Sequence, residues 1–137
     1  MALVDIALRR LVSARASERC EYRRLPLEFD DSPASVDHII ALKHNGPTTP
    51  ENLAFACFHC NNFKGDNIAG IDPAGSSLTR LFNPRADQWS GHFRFDRGTI
   101  NPLTAIRRTT LYVVNMNATV RVIGRQLLMA TGDMESV

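Results

Sequence analysis

Four side chains in the first half of the chain have the types and the spacing that metal-assisted hydrolysis needs. Asp37 and His38 are adjacent in Val36-Asp37-His38-Ile39, Asn52 follows fourteen residues after His38, and Asn61 follows twenty-three after it, in Cys57-Phe58-His59-Cys60-Asn61. Cleaving a phosphodiester requires a deprotonated water, a cation on the crowded phosphate oxygens and stabilisation of the departing alkoxide. A carboxylate, an imidazole and two carboxamides brought together outline a nuclease site. Taken singly they say little, because an isolated Asp-His pair is most often a surface hydrogen-bonding pair and an isolated Asn a cap or turn residue.

The elements around these residues decide whether they meet. Residues 34–41 read as a strand, Asn45-Gly46 and Pro47 as a turn or loop, residues 53–56 as a return strand, and residues 58–66 as a short helix ending near Gly65. Alternation along a strand would send Asp37 and His38 to opposite faces, so a bulge or bend is expected there. Ahead of this core, Val4, Leu8, Leu11 and Val12 recur three and four apart, which predicts an amphipathic helix from Ala2 to about Ser17. Asp30-Asp31-Ser32-Pro33 reads as a turn. Residues 67–77 read as a loop, residues 78–82 and 93–95 as short strands around a helical turn near 87–90, and Trp89 as core. Thr104 is the expected N-cap of a helix to about Asn115, although Leu111 to Val114 is β-prone, and Asn117 that of another to about Ala130. The class is α+β in one domain over residues 1–137, with a core at about 18–66 and an extension at about 67–131.

A chain of 137 residues with 44% hydrophobic and 22% charged side chains is long enough for a core and has a globular composition. No apolar run approaches the ~20 residues a membrane-spanning helix needs, and the N-terminal stretch lacks the pattern of a signal peptide. Three cysteines cannot pair off, and two stand in Cys57-x-x-Cys60, a metal-knuckle spacing, so a cytoplasmic, reducing setting is expected. The net charge of +2 is mild, but its distribution is uneven. Residues 29–77 hold two basic and six acidic side chains, whereas residues 80–125 hold eight arginines against Asp87 and Asp96. An acidic, metal-attracting centre with basic flanks suits a phosphodiesterase, with solvated surface arginines as the equal alternative.

Asp37-His38-Ile39, Asn45-Gly46, Asn52-Leu53 and Cys57-x-x-Cys60-Asn61-x-x-Lys64 together resemble the HNH endonuclease family. The segments 70–73, 81–85, Trp89 and His92-Phe93 resemble the downstream extension of a bacterial subgroup. The resemblance implies a ββα-metal core wrapped by an N-terminal helix and a C-terminal strand and helix extension. It also implies a metal-dependent endonuclease that cleaves DNA to leave a 5′-phosphate and a 3′-hydroxyl. On it, His38 is the general base, Asp37 and Asn61 bind Mg²⁺ or Mn²⁺, and Asn52 ties the loop to the hairpin in support of the base. Lys64, Arg80, Arg85, Arg94 and Arg97 are candidates for touching phosphates, with an exposed helix lysine as the alternative for Lys64. The rival reading is a binding module for nucleic acid or protein that kept the fold without catalysis.

One departure from the family pattern stands out. Many HNH proteins carry two CxxC knuckles around a structural zinc, whereas here the first is Cys20-x-x-Arg23. Cys20, Cys57 and Cys60 supply three of the four ligands that a structural zinc takes, and arginine, always protonated, cannot be the fourth. Loss of the site, with the cysteines packed as small apolar side chains, is preferred over completion by His44, His59 or an acidic residue near Asp30.

Overall fold

The computed structural model describes residues 4–29 and 32–134. The expected turn at Asp30-Asp31 and the expected helix start at Ala2 therefore lie outside the described residues. Among the described residues, helices combine with three two-stranded antiparallel sheets in an α+β fold, and the chain divides into two compact units. Met1–Ile68 with Asn83–Ala86 form the first, Ala69–Phe82 with Asp87–Val137 the second. No helix among the described residues is long and apolar enough to cross a membrane.

The first unit opens with helix α1, Ile6–Arg15, which starts later than its hydrophobic pattern predicts because Asp5 caps it. The Asp5 carboxylate accepts the Leu8 amide at 2.7 Å and so satisfies one of the donors that a helix start leaves open. Val12 is fully buried against Leu53 and Phe55, with Val4 and Leu8 packed on the same cluster. Leu11 lies at the edge of that face, 46% exposed.

Strand β1, Ser35–His38, pairs antiparallel with β2, Leu53–Ala56, in the register Ser35↔Ala56 to His38↔Leu53 without a bulge. Every residue of β2 is buried. β1 is shorter than the expected 34–41 because a side chain takes over its pairing. The Ile39 amide still reaches the Asn52 carbonyl at 2.9 Å, but the next rung is made by the Asn52 carboxamide. Its oxygen accepts the Ile40 amide at 2.9 Å and its nitrogen donates to the carbonyls of Ile40 at 2.9 Å and Pro47 at 2.8 Å. Helix α2, Phe58–Lys64, follows β2; the Cys57 sulfur accepts the Cys60 amide, and Gly65, at φ 52°, ends it.

The second unit holds β3, Ala69–Ile71, paired with β4, Leu78–Arg80, and β5, Phe93–Asp96, paired with β6, Thr99–Pro102. Helix α3, Trp89–His92, leads into β5; α4 spans Ala105–Val114 and α5 Thr119–Ala130. The expected loop at 67–77 thus contains a strand, and β6 was not signalled at all. Its pairing partner is what makes Thr99–Pro102 extended. Thr104 caps α4 as expected, accepting the Arg107 amide, and the β-prone Leu111 to Val114 is helical, since packing overrides propensity. Asn117 does not cap α5, whose N-cap is Ala118. Its carboxamide instead bonds the amide and carbonyl of Ile100 on β6, at 2.9 and 2.8 Å. Trp89 is half-buried and stacks on Phe93 and Phe95 at 5.1 and 4.8 Å between ring centroids.

The loop between β1 and β2 has no room for a side chain at Gly46. A Cβ there would lie 1.6 Å from the Ile40 carbonyl oxygen and 2.9 Å from the Asn52 carboxamide nitrogen, whereas nothing lies within 4 Å of a Cβ added at Gly91. Gly46→Ala should destabilise the protein by about 1–3 kcal/mol or more, the cost of overpacking a tight site. Gly91→Ala should stay within about 0.5 kcal/mol of the parent. Urea denaturation of both variants checks this, and equal midpoints would show that the loop relaxes freely.

Candidate active site

Asp37 is the deepest charged group of the core hairpin. Its carboxylate is 4% exposed and is held from two sides: the Tyr22 hydroxyl donates to Oδ2 at 2.7 Å, and the Lys64 ammonium stands 3.3 Å from Oδ1 and 3.2 Å from Oδ2. Lys64 also donates to the His38 carbonyl at 3.1 Å. A carboxylate removed from water loses several kcal/mol of hydration and ionises only with such partners. Burial pushes the Asp37 pKa up, with Lys64 and Tyr22 pulling the other way. The same burial, with the neighbouring Asp37 charge, pushes the Tyr22 hydroxyl well above its usual range, so Tyr22 is a pure donor here.

His38 ends β1, half-buried, with its Nε2 2.9 Å from the Thr48 hydroxyl. Thr48 belongs to the loop that Asn52 holds through Pro47, so Asn52 fixes the backbone and Thr48 fixes the ring. Asn61 sits on α2, and its carboxamide makes no hydrogen bond among the described residues. An open cleft of about 250 Å³ brings these groups together: Asp37, His38 and Asn61 line it with Val36, Ala41, Leu42, Gly65 and Asp66. No bulge is needed for the adjacent Asp37 and His38 to share it, because β1 stops at His38.

The donor set fits a hard divalent cation. Such ions take oxygen ligands and keep several waters, and the cleft offers the Asp37 carboxylate, whose Oδ1 has Lys64 as its one partner among the described residues, and the Asn61 carboxamide. Tyr22 and Thr48 were not foreseen as functional residues. Tyr22 stands fifteen positions before Asp37, and only its place between Cys20 and Arg23 hints at a role. Nothing in Pro47-Thr48-Thr49-Pro50 beyond a turn signature singles out one hydroxyl.

The candidates for phosphate contact divide by burial. Lys64 is 1% exposed, which corrects both its reading as a phosphate contact and the alternative of an exposed helix lysine, because the buried Asp37 carboxylate draws it inward. Arg80 forms a bidentate pair with Asp87 at 2.7 and 2.8 Å, and Arg85 pairs with Glu21; Arg94 and Arg97 are exposed. His44 and His59 are exposed and take no part in the cysteine cluster, while Asp30 lies outside the described residues. His92 bonds the Thr104 hydroxyl at 2.7 Å.

Cys20, Cys57 and Cys60 are all 0% exposed, and their sulfurs lie within 4.8 Å of one another, close enough to share a metal ion. The cluster flanks the cleft through sequence: Tyr22 lies within Cys20-x-x-Arg23, and Asn61 and Lys64 follow Cys60 on α2.

Residues 20–67 match the family model described as HNH endonuclease. No curated protein and no solved structure matches the chain.

The Asp37–Lys64 pair carries a test of its own. Lys64→Met should cost about 3–5 kcal/mol, because it strands a buried carboxylate. Combining it with Asp37→Asn should recover much of that loss. Urea unfolding of the two single variants and the double variant gives the coupling directly; additive effects would mean that the two charges do not support each other.

Proposed function

We propose that this chain is a metal-dependent endonuclease that hydrolyses phosphodiester bonds in DNA, acting in the cytoplasm, a reading supported by the match of residues 20–67 to the HNH endonuclease model. The observation that carries the reading is the convergence of Asp37, His38 and Asn61 on one open cleft. Asp37 and Asn61 would hold Mg²⁺ or Mn²⁺, which would supply Lewis-acid stabilisation of the phosphate and of the departing oxygen. His38 takes the proton of the attacking water. In the tautomer whose Nε2 donates to Thr48, Nδ1 is the acceptor, and a neutral imidazole is well matched to that task near neutral pH. Asn52 acts through His38: by fastening Ile40 and Pro47 it holds both the strand end that bears the imidazole and the loop that bears Thr48. Lys64 and Tyr22 keep the Asp37 carboxylate ionised and aimed, which is how a buried group can still serve as a hard ligand.

Cleavage of supercoiled plasmid under a panel of divalent ions tests this reading. The parent should nick DNA with Mg²⁺ or Mn²⁺ and stop when chelator is added. His38→Ala should fold and bind metal but cleave roughly a hundredfold more slowly, the scale for removing a general base. Asp37→Ala should lose metal affinity and cleavage together. A His38→Ala protein as active as the parent, with contaminating nuclease excluded, removes the assignment.

Contact with the DNA backbone has its own measure. Arg94 and Arg97 are exposed and make no ion pair among the described residues, so they are the extension arginines free to meet phosphates. Replacing both by Gln should flatten the slope of log K against log salt by up to about 2, near one counterion per phosphate contact. An unchanged slope returns them to the solvated surface.

A further inference from the structure

Structural zinc takes four donors in a tetrahedron, and Cys20, Cys57 and Cys60 provide three. Arg23 stands against one of the three sulfurs. Its Nε donates to the Cys57 sulfur at 3.0 Å, and the side chain is buried with the cysteines at 5% exposure. A guanidinium has no lone pair to give and carries a fixed positive charge, so it cannot ligate a metal and it repels a dication from the sulfur it covers. The residues present do not fit a closed zinc site.

We propose that Arg23 takes the place of the metal: its guanidinium is the cation around which the three sulfurs gather, fastening the Cys20–Arg23 loop to the start of α2 with no ion. The charges balance on this reading. The Arg23 guanidinium lies in hydrogen-bond contact with the Cys57 sulfur, within the cluster that Cys20 and Cys60 complete. One thiolate beside the guanidinium would make a neutral buried pair that needs no ion. A neutral cluster is the cheaper one to bury. The Cys57 sulfur also accepts the Cys60 amide at 3.3 Å, so the same atom caps α2 and receives the loop.

The inference stands apart from the nuclease reading, and its test uses no cleavage assay. The parent, Arg23→Cys and Arg23→Met are expressed in zinc-supplemented medium, their zinc content is measured, and each is melted with and without chelator. The parent should hold well under one zinc per chain, show no thiolate-to-cobalt charge-transfer absorbance on adding Co²⁺, and melt at the same temperature in chelator. Arg23→Cys should take near-stoichiometric zinc, give the cobalt band, and lose thermal stability in chelator. Arg23→Met should melt below the parent, with added zinc failing to restore it; outright failure to fold agrees with the proposal, and the zinc content of the parent still decides. A full zinc equivalent in the parent overturns it. So does an Arg23→Met protein as stable as the parent in chelator, or a folded Arg23→Cys protein that takes up no zinc.

Discussion

A carboxylate held out of water is the constraint from which the first unit is built. Asp37 sits on β1, is gripped by Tyr22 from the loop after α1, and is neutralised by Lys64 from the last turn of α2. Three separate segments must be in place before that charge can be buried at tolerable cost. The hairpin, the knuckle loop and α2 are therefore tied together by one group as well as by apolar packing. The consequence for chemistry is direct: the side chain best suited to hold a hard cation is also the one whose position is most constrained. Preorganisation of this kind removes the cost of ordering a ligand at the moment of binding.

Asn52 performs the matching service for the other half of the cleft. Its carboxamide completes the β-ladder where β1 would otherwise continue, and its reach to Pro47 sets the loop that presents Thr48 to His38. The close approach of Gly46 to Ile40 and Asn52 follows from the same folding-back. A side chain with one acceptor and two donors is needed there, and the isosteric Asp would lack both donors.

How much of this could be read in the residues alone depends on whether the signal was local. The return strand, the helix to Lys64 with its glycine end, and the Thr104 cap follow from local chemistry and agree with the structure. The stop of β1 at His38 does not, because it depends on a carboxamide twelve or more residues away competing for the same backbone groups. Lys64 illustrates the same limit: on a helix of mixed polarity a lysine reads as exposed, and only the position of Asp37 twenty-seven residues earlier in the chain turns it inward. β6 and the role of Asn117 were invisible for a like reason, each being defined by a partner distant in sequence. The three cysteines named from the sequence do come together, but Arg23 was taken for an interruption in a motif, whereas it is in hydrogen-bond contact with Cys57.

The arginine-rich extension shows why a charge count overstates an electrostatic surface. Of its eight arginines, Arg107, Arg121 and Arg125 are buried, and Arg80, Arg85 and Arg108 are committed to Asp87, Glu21 and Asp72. Arg125 donates to the carbonyls of Gly98 at 2.6 Å and Met116 at 2.9 Å, bonding the turn after β5 and the chain before α5, so its charge works as a structural clamp within that unit. Arg107 lies over the Phe93 ring at 4.8 Å, and burial first, then Arg108 and Arg94, lowers its pKa to about 9. Arg125 thus contributes donors and Arg107 a flat stacking face, and neither contributes much field outside the protein. Long-range attraction for a polyanion depends on charges that remain in solvent, and in the extension these are Arg94 and Arg97. The mild net charge is thus a better guide to the outer surface than the run of arginines. Recognition of nucleic acid by this chain would then rest more on fit at the cleft than on steering by the extension.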